Sequence, residues 1–222
     1  MSTAAPLDRG RPNGPRSRRG VAARARLLDA AKLIFEEDGF LEARITDIAE
    51  RAGLSHGSFY HYFDSKEEIF REVAKTMEDL LSAPLNTVIF DPSSNAKPRE
   101  RILEGNRRFL ESYRAEARII GVIEQVSRYD SQISAKRTEN QRNDLPRVVE
   151  SIRQLQRRGS VDPTLDPEIA AVALAGMVHR FAEIWLVQKS FDCSIEDAAE
   201  QLTKLFVNAL QLQDAPGDAF SR

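Results

Sequence analysis

Apolar residues recur at intervals of three and four along most of the chain, which is the pattern of amphipathic helices. The first predicted helix ends at Gly39, and Phe40 is expected to fold back onto it. No segment shows the alternation of apolar and polar residues that is typical of strands, so we predict an all-α fold. The apolar face of the first helix consists of Leu27, Leu28, Ala31, Ile34 and Phe35.

Local capping signals predict three more helices before residue 85. Thr46 is a good N-cap, and the short helix that it opens should end at Gly53. Ser55 is expected to cap a third helix, which contains the stretch SHGSFYHYF. Ser65 with Glu68 three residues later forms a capping box that opens a fourth helix, and Pro84 ends it.

The remainder of the chain is also predicted to be helical after a loop at 82–98. Apolar spacing indicates helices at 102–113, 119–126, 130–144 and 148–155, with Gly159 as the terminator of the last. Asp166 and Pro167 are a strong start signal for an apolar helix of about 20 residues. Ser194 with Asp197 starts the final helix.

Charge is distributed unevenly along the chain, although the net charge is only −2. Residues 1–26 hold seven arginines against Asp8 alone, so a basic arm precedes an acidic body. Such an asymmetry indicates a polyanionic partner that is bound at one end, whereas a solubilising disordered tail is the simpler alternative. We predict a disordered basic arm at 1–20, helical domains at 21–66 and 67–214, and a flexible tail at 215–222.

The composition of the chain limits the remaining function classes. There is no run of 18 apolar residues and no apolar segment behind the arginine-rich start, so we expect a cytoplasmic protein without a membrane span or secretory signal. The lone Cys193 excludes an internal disulfide and a multi-cysteine zinc site. His56 and His61 diverge by about 140° around a helix axis, which disfavours a metal pair. No cofactor is expected.

Residues 46–63 have the layout of a helix-turn-helix, in which the second helix enters the major groove of DNA. Gly53 supplies the positive φ that the turn requires, and Gly57 with Ser58 keeps the leading turn of the second helix thin. The side chains that offer hydrogen-bonding tips to bases and phosphates are His56, Ser58, Tyr60 and His61.

The stretch ITDIAERAGLSHGSFYHYFDSKEEIF closely resembles the signature of the TetR family of bacterial transcriptional regulators. The resemblance covers roughly residues 24–80, and beyond residue 82 only the helical layout is similar. It implies a three-helix DNA-binding domain at 21–66, a larger helical regulatory domain at 67–214 for ligand binding and dimerisation, and a homodimer that binds an operator. The resemblance assigns Thr46, Tyr60, His61 and Lys66 to phosphates, and Ser55, His56, Gly57 and Ser58 to the groove. Phe59 and Phe63 should instead be core rings.

The last two helices are expected to pair across the homodimer, because an apolar helix surface wider than one stripe needs cover on more than one side. The predicted interface residues are Ala171, Leu174, Ala175, Leu202, Leu205 and Phe206. A mostly apolar pocket for a small apolar or amphipathic effector is expected within 99–189. Its candidate residues are Phe109, Tyr113, Met177, His179, Phe181, Glu183 and Trp185.

The sequence therefore predicts a transcriptional regulator that binds DNA specifically, and the family resemblance favours a repressor released by a ligand. One alternative is a helix-turn-helix protein without small-molecule control, either an activator or a chromosome-organising protein. A sealed core behind residue 82 would favour that alternative. A helical enzyme is a remote alternative, supported only by His179 and Glu183 one helical turn apart.

Overall fold

A computed structural model describes residues 18–84 and 96–213, except for the side chains of 132, 133 and 136–144. Throughout these described ranges the regular elements are helical, which confirms the predicted all-α fold. The chain divides into two compact units, and the division falls between Val73 and Ala74. The boundary predicted after residue 66 lies seven residues earlier, within the same helix.

The first unit contains three helices and the start of a fourth. These are α1 (Arg18–Glu42), α2 (Ile45–Arg51), α3 (His56–Phe59) and α4 (Lys66–Pro84). Gly39 leaves the helical path of α1 at φ 74°, and the Phe40 ring packs 5.9 Å from Phe35 and 4.7 Å from Phe70. The predicted stop at Gly39 and the fold-back of Phe40 are therefore both confirmed.

The basic arm is shorter than the sequence predicted. Arg18, Arg19 and Gly20 already belong to α1, because the alanine-rich segment that follows them favours helix and extends it toward the N-terminus. The rest of the arm, at 1–17, lies outside the described residues, as do 85–95 of the predicted loop and the predicted tail.

The second unit continues α4 and adds five α-helices and a π-helical turn. They are α5 (Pro98–Ala115), α6 (Ala117–Ser127), α7 (Ser131–Arg157), α8 (Pro167–Ala182), the π-helix Glu183–Val187 and α9 (Ile195–Leu210). Helix α5 packs most extensively against α9, and α7 packs against α8. Between α5 and α9, the buried Asn106 donates from Nδ2 to the hydroxyl of the buried Thr203 at 3.0 Å.

Local start and stop signals in the second unit are confirmed. The Asp166 carboxylate accepts hydrogen bonds from the backbone N–H groups of Glu168 and Ile169, both at 2.9 Å, and Pro167 is the first helical residue. Ser194 caps α9 by accepting from the N–H of Asp197 at 3.0 Å. Gly159 follows α7 with φ 70°.

Two element boundaries in the second unit differ from the prediction. The helices predicted at 130–144 and 148–155 are one continuous helix, α7, with Pro146 inside it. Proline removes a single intrahelical hydrogen bond, and packing of Val149 and Ile152 in the core keeps the helix continuous around it. The apolar helix that starts at Pro167 changes to π geometry at Glu183, which the sequence did not indicate.

Candidate nucleic-acid interface

The turn between α2 and α3 is fixed by a Schellman motif. Gly53 has φ 66°, and its N–H donates to the carbonyl of Glu50 at 2.9 Å. The N–H of Leu54 donates to the carbonyl of Ala49, also at 2.9 Å. These two bonds satisfy carbonyls that the end of α2 leaves without donors, and they require the left-handed conformation that glycine adopts most readily. The predicted role of Gly53 is therefore confirmed.

Ser55 caps α3, as the sequence predicted, but α3 ends at Phe59 and does not extend through the whole SHGSFYHYF stretch. The Ser55 hydroxyl accepts from the N–H of Ser58 at 3.2 Å and pairs with the Ser58 hydroxyl at 2.8 Å. This pairing holds the half-buried Ser58 side chain against the cap. His56 and Gly57 are exposed on the leading turn, and a Cβ atom added to Gly57 would meet nothing within 4 Å. The surface at Gly57 is open enough for a close approach by another molecule.

The aromatic stretch divides into buried and exposed rings. Phe59 and Phe63 are 0% and 1% exposed, with their centroids 5.8 Å apart, and they belong to the core as predicted. Tyr60 is 43% exposed and His61 is exposed, so both side chains are available at the surface. The Tyr60 ring meets His56 edge-on at 5.2 Å, which places these two side chains together beside the open surface at Gly57.

The start of α2 differs from the prediction. Ile45 is the first residue of α2, and Arg44 occupies the N-cap position without a side-chain capping bond. Thr46 lies one residue inside the helix, exposed, and its hydroxyl donates to Asp47 Oδ1 at 3.1 Å. The prediction that Thr46 is the N-cap is wrong, although Thr46 remains in the exposed first turn.

Lys66 was predicted to bind phosphate, but the structure gives its ammonium group partners within the protein. Lys66 Nζ donates to the carbonyl of Leu41 at 3.0 Å and to that of Ala43 at 2.9 Å. It also lies 4.8 Å from the centroid of the Phe40 ring. Two of its three hydrogens are therefore occupied at the end of α1.

Two arginines of the first unit are also paired internally. Arg24 lies 4.8 Å above the Phe63 ring and forms a salt bridge of 3.1 Å with Glu72, which joins α1 to α4. Arg51 binds both carboxylate oxygens of Glu37, at 2.8 and 2.7 Å, and the hydrogen bond that it donates to Glu37 raises the pKa of the guanidinium. These cations hold helices of the first unit together.

The predicted effector residues lie close together in the second unit, but as packed side chains. Phe109, Tyr113 and Trp185 are 7%, 2% and 6% exposed within one apolar cluster, and Met177 and Phe181 pack against it. The ring of His179 meets Phe109 edge-on at 4.9 Å. Glu183 pairs with Arg180 at 2.7 Å and Arg128 at 3.7 Å.

Among the described residues of the second unit, a small cavity lies away from the predicted effector residues. It has a volume of about 160 Å³ and is lined by Pro98, Arg99, Val207, Leu212 and Gln213. Pockets for drug-sized ligands usually measure about 300–1,000 Å³. None of the predicted effector residues lines this cavity, so the pocket predicted among them stays a prediction.

The predicted dimer residues divide between core and surface. Ala171, Leu174 and Leu202 are 1%, 9% and 1% exposed, because their sides of α8 and α9 face the chain's own core. Ala175 and Leu205 are exposed, and Phe206 is half-buried. The exposed apolar surface of α8 is centred instead on Ile169 and Val172, which are 72% and 58% exposed.

The segment Pro167–Val187 is long and apolar enough to span a membrane by length and composition, and 28% of its most apolar 18-residue stretch is buried. Core helices of soluble proteins can be equally long and apolar. Within the described residues there is no group of three histidine, cysteine, aspartate or glutamate side chains that suits a metal ion.

Comparison with known proteins places these features in a family. Residues 27–73 match the family model described as "Bacterial regulatory proteins, tetR family". The chain is 26% identical over 170 residues to the HTH-type transcriptional regulator YdgC of Bacillus subtilis. This alignment covers 76% of this chain and 84% of YdgC. It is 38% identical over 79 residues to the HTH-type transcriptional repressor KstR2 of Mycobacterium tuberculosis, covering 36% of this chain and 38% of the repressor.

Solved structures support the same fold over both units. Salmonella enterica GusR aligns with a TM-score of 0.70 and 19% identity, over 85% of this chain and 95% of GusR. The fatty acid degradation regulator FadR of Bacillus halodurans aligns with a TM-score of 0.67 and 19% identity, over 91% of this chain and all of FadR. The helix-turn-helix signature, the family-model match over residues 27–73 and the matched regulators show that the DNA-binding part of the chain is similar to that of the TetR family of bacterial transcriptional regulators, and the solved structures share the fold.

Proposed function

We propose that this regulator is a repressor that binds an inverted-repeat operator as a homodimer. The observation that carries the proposal is the leading turn of α3, where His56, Gly57 and Tyr60 are exposed above the buried rings of Phe59 and Phe63. A short helix held by core rings is rigid enough to present side chains to base edges in the major groove. The KstR2 relative is named a repressor, which supports that direction of control.

The DNA contacts that we propose are of two kinds, to phosphates and to bases. Thr46, Tyr60, His61 and Lys66 contact phosphates, and Lys66 does so through the hydrogen that its two carbonyl partners leave unused. Ser55, His56, Gly57 and Ser58 face the bases. Phosphate contacts act on every sequence alike, whereas base contacts select the operator. Replacement of Tyr60 or His61 should therefore weaken all binding, and replacement of His56 should change the preferred bases.

The proposed homodimer is supported by the exposed apolar surface of the second unit. Ile169 and Val172 on α8, with Leu205 on α9, leave apolar area in water that a second copy can cover. Two helices from each copy would then form a four-helix bundle. One half-site per subunit follows from the twofold symmetry of this arrangement.

Release by a small apolar or amphipathic effector is the third part of the proposal. The π-helix Glu183–Val187 lies directly after α8 and contains Trp185, and such irregular turns occur often at functional sites. Because Phe109, Tyr113 and Trp185 are packed, an effector would have to bind a conformation in which this cluster opens. The effector would then weaken operator binding by its preference for that conformation.

The packed cluster also favours a second candidate function, a DNA-binding regulator without small-molecule control. The two candidates differ in one measurement, the operator affinity in the presence of compounds that bind the protein. Compounds that raise the unfolding temperature yet leave operator affinity unchanged would support the second candidate. For both candidates we propose a cytoplasmic protein that is not an enzyme and needs no cofactor.

A band-shift assay on genomic fragments tests the proposed function. The full chain should retain a fragment that contains an inverted repeat, with two chains bound per repeat. The logarithm of its affinity should fall with the logarithm of salt concentration, by about 0.9 per neutralised phosphate. If no fragment binds more tightly than unrelated DNA, the proposal is refuted.

A further inference from the structure

The first half of α1 is strongly basic. Residues 18–28 contain four arginines and no aspartate or glutamate. Arg18, Arg19 and Arg26 are exposed, whereas Arg24 is half-buried and paired with a carboxylate of α4. The exposed arginines therefore form a positive surface that no acidic residue of this stretch neutralises.

The helix itself gives no reason for cations at its start. Arg18 and Arg19 lie in the first turn of α1, and that turn contains no acidic residue. The N-terminal end of a helix carries partial positive charge, so arginines there lower helix stability, while aspartate or glutamate would raise it. A local preference that is broken without gain to the fold marks a candidate functional surface.

Arg19 and Arg26 lie on the same side of α1. They are seven residues apart, which is about 20° short of two full turns and about 10 Å along the helix axis. Between them Ala22 is exposed, and its short side chain keeps this side of the helix low. Each strand of DNA carries a phosphate about every 3.4 Å of the duplex axis, so two cations at this spacing can each meet a phosphate of one strand. Asp29 is exposed one turn beyond Arg26, and the basic surface ends there.

Arg26 connects this surface to the turn of the helix-turn-helix. Its Nη1 atom lies 3.6 Å from the position that a Cβ atom on Gly53 would take, and Gly53 precedes the α3 cap Ser55 by two residues. Arg51, at the end of α2, is bound to Glu37, but Arg26 makes no ion pair within the described residues. The Arg26 guanidinium therefore lies close to the start of α3, with its charge available to another molecule.

We propose that α1 binds the DNA backbone through a surface made of Arg19, Ala22 and Arg26, which we name the α1 surface. The planar guanidinium of arginine can donate two parallel hydrogen bonds to a phosphate, and Ala22 lets the helix approach the strand closely. The α1 surface extends the proposed interface of α2 and α3 onto a third helix, where phosphate contacts position α3 without reading bases. This inference rests on the proposed DNA-binding function.

Four full-length variants test the α1 surface. Arg26→Gln removes one charge, and the double variant Arg19→Gln with Arg26→Gln removes two, while Arg26→Lys keeps the charge. Arg158→Gln is the matched control, because it makes the same substitution at an exposed position of the second unit. Each variant is titrated at several salt concentrations with the genomic fragment that the wild type retains and with a short duplex of unrelated sequence. Thermal unfolding is measured for every variant.

The salt slope should become shallower by about 0.9 in Arg26→Gln and by about 1.8 in the double variant, on both duplexes. At a salt concentration of about 0.1 M, each lost contact should weaken binding by about 3- to 10-fold. Arg26→Lys should keep the slope of the wild type, and Arg158→Gln should bind as the wild type does. The unfolding temperature should stay level in Arg26→Gln and should stay level or rise in the double variant, because Arg19 opposes the helix dipole.

Three results would overturn the inference. An unchanged salt slope in the double variant would mean that the α1 surface does not meet phosphates. A lower unfolding temperature with an unchanged slope in Arg26→Gln would make Arg26 a support of the turn at Gly53 only. An equal change of slope in Arg158→Gln would assign the effect to net charge rather than to this surface.

Failure of the proposed function gives a different result. The wild type would then prefer no genomic fragment over the unrelated duplex, yet the salt slopes on that duplex would still show whether the α1 surface binds the DNA backbone. A wild type that binds neither duplex would overturn both the proposed function and the inference.

Discussion

Gly57→Ala separates the demands of the fold from those of DNA binding. Gly57 is helical with negative φ, is exposed, and an added Cβ would meet no atom of the protein within 4 Å. Nothing in the described part of the chain therefore requires glycine at this position. If the backbone of α3 approaches DNA closely, the major groove of DNA is what requires glycine at this position.

The expected magnitudes follow from the surroundings of the two glycines near α3. Alanine at Gly57 should stabilise the chain by about 0.5–1 kcal/mol, the usual advantage of alanine over glycine within a helix. Alanine at Gly53 should destabilise it by about 1–2 kcal/mol, because φ is 66° there. The nearest atom to a Cβ on Gly53 is Arg26 Nη1 at 3.6 Å, so the cost is conformational rather than steric.

Thermal unfolding and operator titration measure the two effects of Gly57→Ala. The unfolding temperature should stay level or rise by about 1–4 °C. Operator affinity should fall by about 5- to 150-fold, the equivalent of about 1–3 kcal/mol of lost base contact. Gly53→Ala, the comparison variant, should unfold at a lower temperature. Wild-type operator affinity in Gly57→Ala would refute the placement of this turn against DNA.

The other predictions concern the core, the dimer and the response to acid. Phe59→Ala should destabilise the chain by about 3–5 kcal/mol in chemical denaturation. Tyr60→Phe should leave stability unchanged and weaken binding to all duplexes. A large loss of stability in Tyr60→Phe with none in Phe59→Ala would contradict the assignment of Phe59 to the core and Tyr60 to the surface. Val172→Asp or Leu205→Asp should give a folded monomer by light scattering, and an intact dimer excludes this face. Hydrogen bonds from the Thr164 hydroxyl and N–H lower the pKa of Asp162, so Asp162→Asn should lose stability that the wild type has at neutral pH. That difference should disappear as pH falls below 3.8, the usual pKa, and a difference that persists in strong acid counts against it.

Local chemistry explains which element boundaries the sequence predicted correctly. The caps at Asp166 and Ser194 bond to N–H groups two or three residues ahead, so the whole interaction lies within a short window of sequence. The turn at Gly53 depends likewise on carbonyls three and five residues before the bonded N–H groups. Such signals are visible without knowledge of the fold.

The backbone just before α2 makes a hydrogen bond to a residue far along the sequence, which no short stretch of sequence reveals. Thr46 is the better N-cap by residue type, but the helix begins at Ile45. The Ala43 carbonyl is bonded to Lys66, 23 residues later, which fixes the backbone just before α2. A tertiary hydrogen bond therefore competes with capping preference, and the resemblance to the family did not reveal it.

Both sides of α8 are apolar, which limited the prediction of the dimer surface. Leu174 and Val172 are equally suitable by residue type, yet one is 9% exposed and the other 58%. The difference arises because α7 packs on the Leu174 side of α8. Periodicity shows that such a helix needs cover on two sides, and only the fold decides which side the chain covers itself.

The internal pairing of Arg24, Arg51 and Lys66 directs attention to the basic arm as a source of the salt dependence of DNA binding. Helix α1 begins at Arg18, so a deletion of residues 1–17 removes Arg9, Arg11 and Arg16 without cutting the helix. If all three contact phosphates, the salt slope should become shallower by about 2.7. Replacement of the same arginines by glutamine in the full chain is the matched control, because it removes charge and keeps length. Equal losses from deletion and replacement assign the effect to charge, and an unchanged slope in both would mean that the arm does not neutralise DNA.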